Sequence, residues 1–455
     1  MKNYQNISKL FLQPTYSKTK ITPQNVHKVL SRTMLLVGLD LVLDLKKSKG
    51  SILVDSKTGK EYLDFFSFFA SSALGLNHPK LNNDEFIKEL GTTAVNKPSN
   101  PDSYTEVMAN FTDTFRRIAQ PKYLPHGFFI DGGTLAVENA LKAAFDWKVR
   151  KNFKKGYTQE RGHQVIHFKQ AFHGRSGYTL SLTNTDPAKT DYFPKFNWPR
   201  IDNPSIYFPL NDRSLTDVIQ KEKIAIHQIK NAIINNPDDI AAILIEPIQG
   251  EGGDNHFRKE FFKELRTIAD EKDIMLIFDE VQTGIGITGK MWAHEHFVKP
   301  DMISFGKKTQ TCGFFASNRI DEVQDNVFTK KSRINSTWGG NLVDMLRFTK
   351  ILEVIKEEKL VQNAEKVGEY LLKELISLQR EFPDRISNVR GRGLFCAIDL
   401  PSDEYCEKLK KKLYENGVLV LTCGERSLRF RPSLIVTKEE IKQGIDAIRR
   451  SIKEI

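Results

Sequence analysis

Cysteine is scarce: the 455-residue chain holds four (Cys312, Cys396, Cys406 and Cys423), and no two form a Cys-x-x-Cys pair. This excludes a disulfide scaffold and a cysteine-built zinc site, and it suits a reducing compartment, so a cytoplasmic location is expected. A long apolar run is also missing. The longest, 34–45, is interrupted by Asp40 and Asp44 and cannot span a bilayer. Residues 1–18 contain no apolar core of the signal-peptide kind. No internal repeat is evident. Arginine–aromatic interleaving is absent too, so the net charge of +11 reads as solvated surface rather than as a nucleic-acid groove. Lys408, Lys410, Lys411 and Lys412 fit that reading, because Leu409 and Leu413 between and beyond them would face a core. Neither nucleic acid nor membrane is expected as a partner.

Apolar material is plentiful. Hydrophobic residues make up 40% of the chain and phenylalanine occurs 30 times, enough for a large core shared by two or three lobes. Residues 1–25 are polar and mixed and read as an arm. Within 51–66, Ile52, Val54 and Tyr62 alternate with polar residues around Lys57-Thr58-Gly59, which predicts a hairpin. The middle of the chain places short apolar runs (165–168, 241–245, 274–278, 302–305) between helical patterns such as 135–151 and 257–271. Such alternation implies a mostly parallel sheet covered by helices. The last third differs: 342–378 is almost all helix, broken near Glu358. A strand (393–400), a helix (404–416), two short strands (418–421 and 428–431) and a final helix from Thr437 follow. The expected organisation is an arm (1–25), a large α/β domain (81–344), and a smaller α+β domain built from both chain ends (26–80 and 345–455).

Three patterns look chemical and fail on inspection. The run 274–278 followed by Asp279-Glu280 resembles a Walker B strand, and 284–290 nearly gives the phosphate-loop spacing. Met291, however, stands where a magnesium-binding Ser or Thr belongs, and no strand fits between the two motifs. The same glycines, Gly284, Gly286 and Gly289, read as G-x-G-x-x-G, but residues 279–283 separate them from the strand, so a turn with unusual backbone angles is the better reading. His294 and His296 have no evident third ligand and read as a surface pair rather than a metal site.

The remaining unusual residues stand at strand ends. Asp279 follows one apolar run. Lys307 follows another, 28 residues on, and Asp131-Gly132-Gly133-Thr134 precedes a helix expected to start near Leu135. Ligands of open α/β sheets sit beyond the carboxyl ends of the strands. A Gly–Thr helix start offers free N–H groups and a helix dipole to a phosphate. A strand-end carboxylate can pair with a protonated ring nitrogen, and a neutral lysine amine can attack an aldehyde. Phosphate, ring nitrogen and aldehyde together describe pyridoxal phosphate.

The string 279–289 (Asp-Glu-Val-Gln-Thr-Gly-Ile-Gly-Ile-Thr-Gly), with Pro300-Asp301 and Gly306-Lys307, resembles the signature of the class III aminotransferases, which are fold-type I pyridoxal-phosphate enzymes. Phe172-His173-Gly174-Arg175, Ile245-Glu246-Pro247-Ile248-Gln249-Gly250-Glu251, Ser336-Thr337-Trp338-Gly339-Gly340 and Arg429-Phe430-Arg431-Pro432 fit other segments of that family, and the likeness runs from about Val26 to the end. After the lysine, Lys308-Thr309-Gln310-Thr311-Cys312-Gly313 departs from the usual Leu-Gly-Gly, and Gly132 stands where many members have Ser. Both departures are similar to the lysine 6-aminotransferase branch, as are Ala70-Ser71-Ser72-Ala73-Leu74-Gly75, Lys97-Pro98-Ser99-Asn100, the run 139–148, and Arg333-Ile334-Asn335-Ser336-Thr337.

The resemblance implies a fold-type I α/β transferase with pyridoxal 5′-phosphate as cofactor, acting by a ping-pong mechanism. In this scheme Lys307 carries the cofactor and shuttles the proton, while Asp279 keeps the ring nitrogen protonated. Gln282 meets the ring hydroxyl, Phe172 stacks on the ring, and Gly133 and Thr134 hold the phosphate. Thr337 is implied to reach the phosphate of a neighbouring subunit, hence a homodimer with shared sites. L-Lysine and 2-oxoglutarate are the implied substrates, with Arg175, Glu251, Gln282, Asn335 and Arg429 on the substrate side. Arg175 would take the distal carboxylate. Arg429 would pair with Glu251 when lysine binds, and turn to the α-carboxylate when glutamate binds. Arg431 also stands near the right place to be Glu251's partner, and only the family position favours Arg429. Another ω-amine donor (ornithine or 4-aminobutanoate) and a relative that binds cofactor without turnover are the competing readings.

Overall fold

The computed structural model describes residues 18–455, so most of the expected arm lies outside the described residues. A 3-10 turn (Pro23–Asn25) and a short helix (Val26–Leu30) lead in. The expected hairpin then forms from strands β1 (Ile52–Val54) and β2 (Glu61–Asp64), with Ile52 opposite Leu63.

The large sheet contains β3 (His126–Ile130), β4 (Gln164–Phe168), β5 (Arg200–Ile201), β6 (Ile240–Ile245), β7 (Met275–Asp279), β8 (Met302–Phe305) and β9 (Cys312–Ala316). Their order across the sheet is β3-β9-β8-β7-β6-β4-β5. Strands β5, β4, β6, β7 and β8 run parallel, whereas β9 pairs antiparallel with both β8 and β3. Six strands therefore point one way, and all their carboxyl ends lie along one edge. The α/β expectation holds. Strands β6, β7 and β8 are buried at every position, since helices cover both faces of the sheet. One face packs Val137, Ala140, Ala144 and Trp147 of the helix Gly133–Lys154 against Ala242, Leu244 and Ile277. The other packs Phe261, Phe262 and Leu265 of the helix Lys259–Glu271 against Ile243, Leu276 and Phe278.

In the last third, the helices Leu342–Glu357 and Leu360–Glu381 break at Glu358–Lys359, as expected, with Lys359 in the left-handed region (φ 55°). Strands β10 (Ser387–Arg392), β11 (Phe395–Asp399), β12 (Val418–Leu419), β13 (Leu421–Cys423) and β14 (Ser427–Phe430) follow. Four of them form an antiparallel sheet in the order β10-β11-β14-β13, while β12 pairs parallel with β2, Val418 against Leu63. Leu409 and Leu413 are buried in the helix Asp403–Glu415, as the lysine spacing predicted.

Candidate active site

A cavity of about 350 Å³ opens where the carboxyl ends of the parallel strands meet the C-terminal sheet. Lys307, Asp279, Gly133, Thr134, Phe172, Gln282, Arg175, Glu251 and Arg429 all line it. Asn335 and Thr337 do not. Both are exposed on the segment 331–340 and are not among the residues lining the cavity of their own chain.

The cavity floor is a helix start. The helix Gly133–Lys154 begins two residues earlier than its periodicity predicts, and its N-cap, Gly132 (φ 95°), provides no side-chain cap. The first backbone bond runs from the N–H of Ala136 to the carbonyl of Gly132, which leaves the N–H groups before it free. Close packing demands glycine here. A methyl group on Gly133 would stand 2.9 Å from Val281 Cγ1, and one on Gly174 (φ 124°) would stand 2.3 Å from Thr134 Oγ1. Uncapped donors, a helix dipole and a neighbouring hydroxyl form a cradle suited to a phosphate.

Asp279 ends β7 and is nearly buried. His173 Nδ1 lies 2.8 Å from its Oδ2, and the Val281 N–H donates to Oδ1 at 3.1 Å. Behind this pair stands Glu246, at the end of β6, which accepts from the N–H groups of Phe172 (3.0 Å) and Gly250 (2.9 Å). Burial, reinforced by the charge of Asp279, pushes the Glu246 carboxyl up to about 7, against the lowering effect of His173.

Lys307 follows the extended Gly306 after β8 and adopts a left-handed backbone (φ 55°), as does Gln310 (φ 59°). Strain of this kind in a non-glycine residue persists only where the surroundings impose it. Gln310 Nε2 supplies one restraint, donating to the carbonyl oxygens of Ser71 and Lys307. Burial first, and the Arg429 cation second, hold the Lys307 amine below the ordinary lysine range, which favours its neutral, nucleophilic form.

Gln282 is oriented by a residue outside the cavity. Arg431 donates from Nε to Gln282 Oε1 at 3.1 Å. A guanidinium can only donate, so it fixes the amide oxygen toward itself and turns the N–H₂ away from itself. Gly250 makes room, because a methyl group there would stand 2.4 Å from Gln282 Oε1. Arg431 is itself fully buried, paired with Asp254 and stacked 3.3 Å above the Phe395 ring. Its partners are therefore not those of Arg429, whose Nη2 donates to Glu251 Oε2 at 2.9 Å. Arg175 stands exposed at the mouth of the cavity and has no ion-pair partner among the described residues.

Sequence reasoning gave no role to His173, Glu246 or Lys189. The first two lie inside strings that resemble the family's, 172–175 and 245–251. Lys189 carried no signal, yet its Nζ donates to Glu251 Oε1 at 2.7 Å. One expectation is corrected. His294 is buried rather than on the surface, with Nδ1 at 3.0 Å from Glu280 and Nε2 at 2.9 Å from the Tyr123 hydroxyl. His296 is half-buried, near the Thr288 carbonyl. The turn from Gly284 to Gly289, which precedes them, has Ile285, Gly286 and Gly289 at positive φ.

The residues fit a phosphorylated aromatic aldehyde: a phosphate cradle, a buried carboxylate for a ring nitrogen, an aromatic wall and a deprotonatable lysine. The L-lysine-epsilon aminotransferase of Mycobacterium bovis is 53% identical, over 95% of this chain and 96% of its own. That of Amycolatopsis lactamdurans is 48% identical, over 94% and 96%. Among solved structures, a lysine aminotransferase from M. tuberculosis superposes with a TM-score of 0.93 at 52% identity, covering 95% of this chain and all of that one. The family model for class III aminotransferases matches residues 37–452, and the chain belongs to that family.

Proposed function

We propose that this chain moves the ε-amino group of L-lysine onto 2-oxoglutarate, giving 2-aminoadipate 6-semialdehyde and L-glutamate, with pyridoxal 5′-phosphate as cofactor. When bound, the cofactor supplies an aldehyde for the amine and a protonated ring that accepts the electrons of the broken C–H bond. Asp279, held by His173, keeps the ring nitrogen protonated. The amide N–H₂ of Gln282 serves the ring hydroxyl, Phe172 covers one ring face, and Gly133 with Thr134 takes the phosphate. Lys307 Nζ takes the proton from the reacting substrate carbon and returns it.

The Arg429–Glu251 pair beside Lys307 carries the reading of substrate. The reacting carbon of lysine bears no carboxylate, whereas that of glutamate does. A buried guanidinium left unpaired in the first case would be costly, and Glu251 prevents this. Arg175, unpaired at the mouth, suits the far carboxylate of either substrate. The identity to lysine aminotransferases over nearly the whole chain supports the same donor.

We further propose a homodimer with shared sites. Asn335 and Thr337 are exposed and do not line their own cavity, and Leu35, Val37 and Tyr192 are more than four-fifths exposed, as apolar residues awaiting a partner would be. The four buried, unpaired cysteines suit a cytoplasmic location.

The test is an absorbance spectrum of the cofactor-loaded protein before and after adding L-lysine, ornithine or 4-aminobutanoate, with no keto acid. Loss of the visible cofactor band with lysine, and its return with 2-oxoglutarate, is expected. A response to one of the other amines but not to lysine overturns the donor. A band that no amine moves overturns turnover itself.

A further inference from the structure

Glu251 does not depend on Arg429 alone. Lys189, at the end of the 3-10 turn Pro187–Lys189, donates to Oε1 at 2.7 Å, while Arg429 donates to Oε2 at 2.9 Å. The two cations hold opposite oxygens of one carboxylate. Their burial differs: Arg429 is 3% exposed, whereas Lys189 and Glu251 are 25% and 27% exposed.

We infer that Lys189 is a specificity-determining residue: it is the standing counter-ion of Glu251, and it lets Arg429 leave to bind a second substrate carboxylate. The inference rests on the two-substrate reading above. A dicarboxylate brings a second anion to the pocket. Without Lys189, that anion and Glu251 would compete for a single guanidinium, and whichever lost would be a partly desolvated, unpaired carboxylate. With Lys189 in place Glu251 and the incoming carboxylate each have a cation, while Asp186, 3.9 Å from Lys189 Nζ and 46% exposed, keeps its contact with water. A substrate with one carboxylate asks nothing of Arg429, so Lys189 is not needed for it.

Two unreactive probes separate these cases on the cofactor-loaded enzyme: glutarate, with two carboxylates, and hexanoate, with one. In Lys189→Met, calorimetry should show glutarate binding weakened roughly tenfold, as expected when one hydrogen-bonded charge is lost, and hexanoate changed by less than about twofold. Lys189→Arg should restore glutarate binding. Glu251→Gln removes the anion that Lys189 serves, so adding Lys189→Met to it should cost nothing further. Equal weakening of both probes would make Lys189 a direct carboxylate ligand or a structural prop, and would overturn the proposal. So would an unchanged glutarate affinity, or an undiminished effect of Lys189→Met in the Glu251→Gln background. These readouts involve no amine donor. If wild-type protein ignores lysine, the proposed reaction falls while the glutarate comparison still decides the role of Lys189.

Discussion

Lys307 reacts with an aldehyde only as a neutral amine, and burial together with the Arg429 cation favours that form. Replacing Arg429 with Met removes a positive neighbour, stabilises the ammonium and raises the Lys307 pKa. The pH profile for cofactor loading, followed by absorbance, should therefore move to higher pH in this variant. Glu251→Ala strands Arg429 when lysine binds but not when glutamate binds. Its kcat/KM in the lysine half-reaction should fall roughly ten- to a hundredfold, and in the glutamate half-reaction far less. Stopped-flow measurement of each half-reaction reads the difference, and equal losses would discard the switch. Lys308 next door is fully buried, with one hydrogen bond, from its Nζ to the Gln282 carbonyl at 3.0 Å. Burial, then Arg431, pushes its pKa well below the ordinary lysine value. Between the folded and unfolded pKa values the unfolded chain binds more protons at this group. Stability is therefore full above the unfolded pKa and is lost as pH falls toward the folded one. Lys308→Met should raise Tm at neutral pH by a few degrees and flatten the rise of stability with pH in thermal melts.

The helix start at Gly133 places the proposed phosphate cradle, and the packing around it leaves only tenths of an ångström to spare. Gly174→Ala would force a methyl group onto Thr134 Oγ1 in a backbone conformation that alanine avoids. Cofactor affinity, read by fluorescence titration, should drop on the order of tenfold or more, while the fold, read by circular dichroism, persists. What could be read from the sequence also differs by element. Strands β6, β7 and β8 stood out as continuous apolar runs because both faces are covered. Strands β3 and β9 escaped notice because glycine breaks their runs: Gly127 lies opposite Phe315, and Gly313 opposite Phe129, small against large across the pair. At the site, Lys307, Asp279 and Gly133 were legible as strand-end chemistry. Lys189 was not, since 62 residues separate it from Glu251 and no periodicity links them. His294 was misjudged because its partners, Glu280 and Tyr123, lie 14 and 171 residues away, where no local pattern points to them.

At the scale of the whole molecule, the proposed dimer with shared sites makes a prediction that a monomer does not. Lys307→Ala should be inactive, and Thr337→Ala should hold cofactor weakly although Thr337 lies outside its own cavity. Mixed dimers of the two contain one site with both residues intact. Unfolding and refolding the variants together should therefore recover activity well above the sum of the separate preparations, and sedimentation should give about twice the 52.1 kDa chain mass. If Thr337→Ala binds cofactor normally, the shared-site reading falls.

The pairing of β2 with β12 has a bearing on how the protein is made. Lys60 bonds to the carbonyl of Glu415 across 355 residues, and Leu63 pairs with Val418. The hairpin at the start of the chain leaves the ribosome long before its partner strand exists. At common translation speeds the interval is roughly 20 to 70 s. Through that time one edge of β2 is open, and Tyr62 and Leu63 lack the β12 residues that cover them in the finished fold. Exposed apolar edges of this kind are what chaperones bind, so slowing synthesis of the segment between should increase the amount of nascent chain captured, and an unchanged amount would show that the open edge is not recognised.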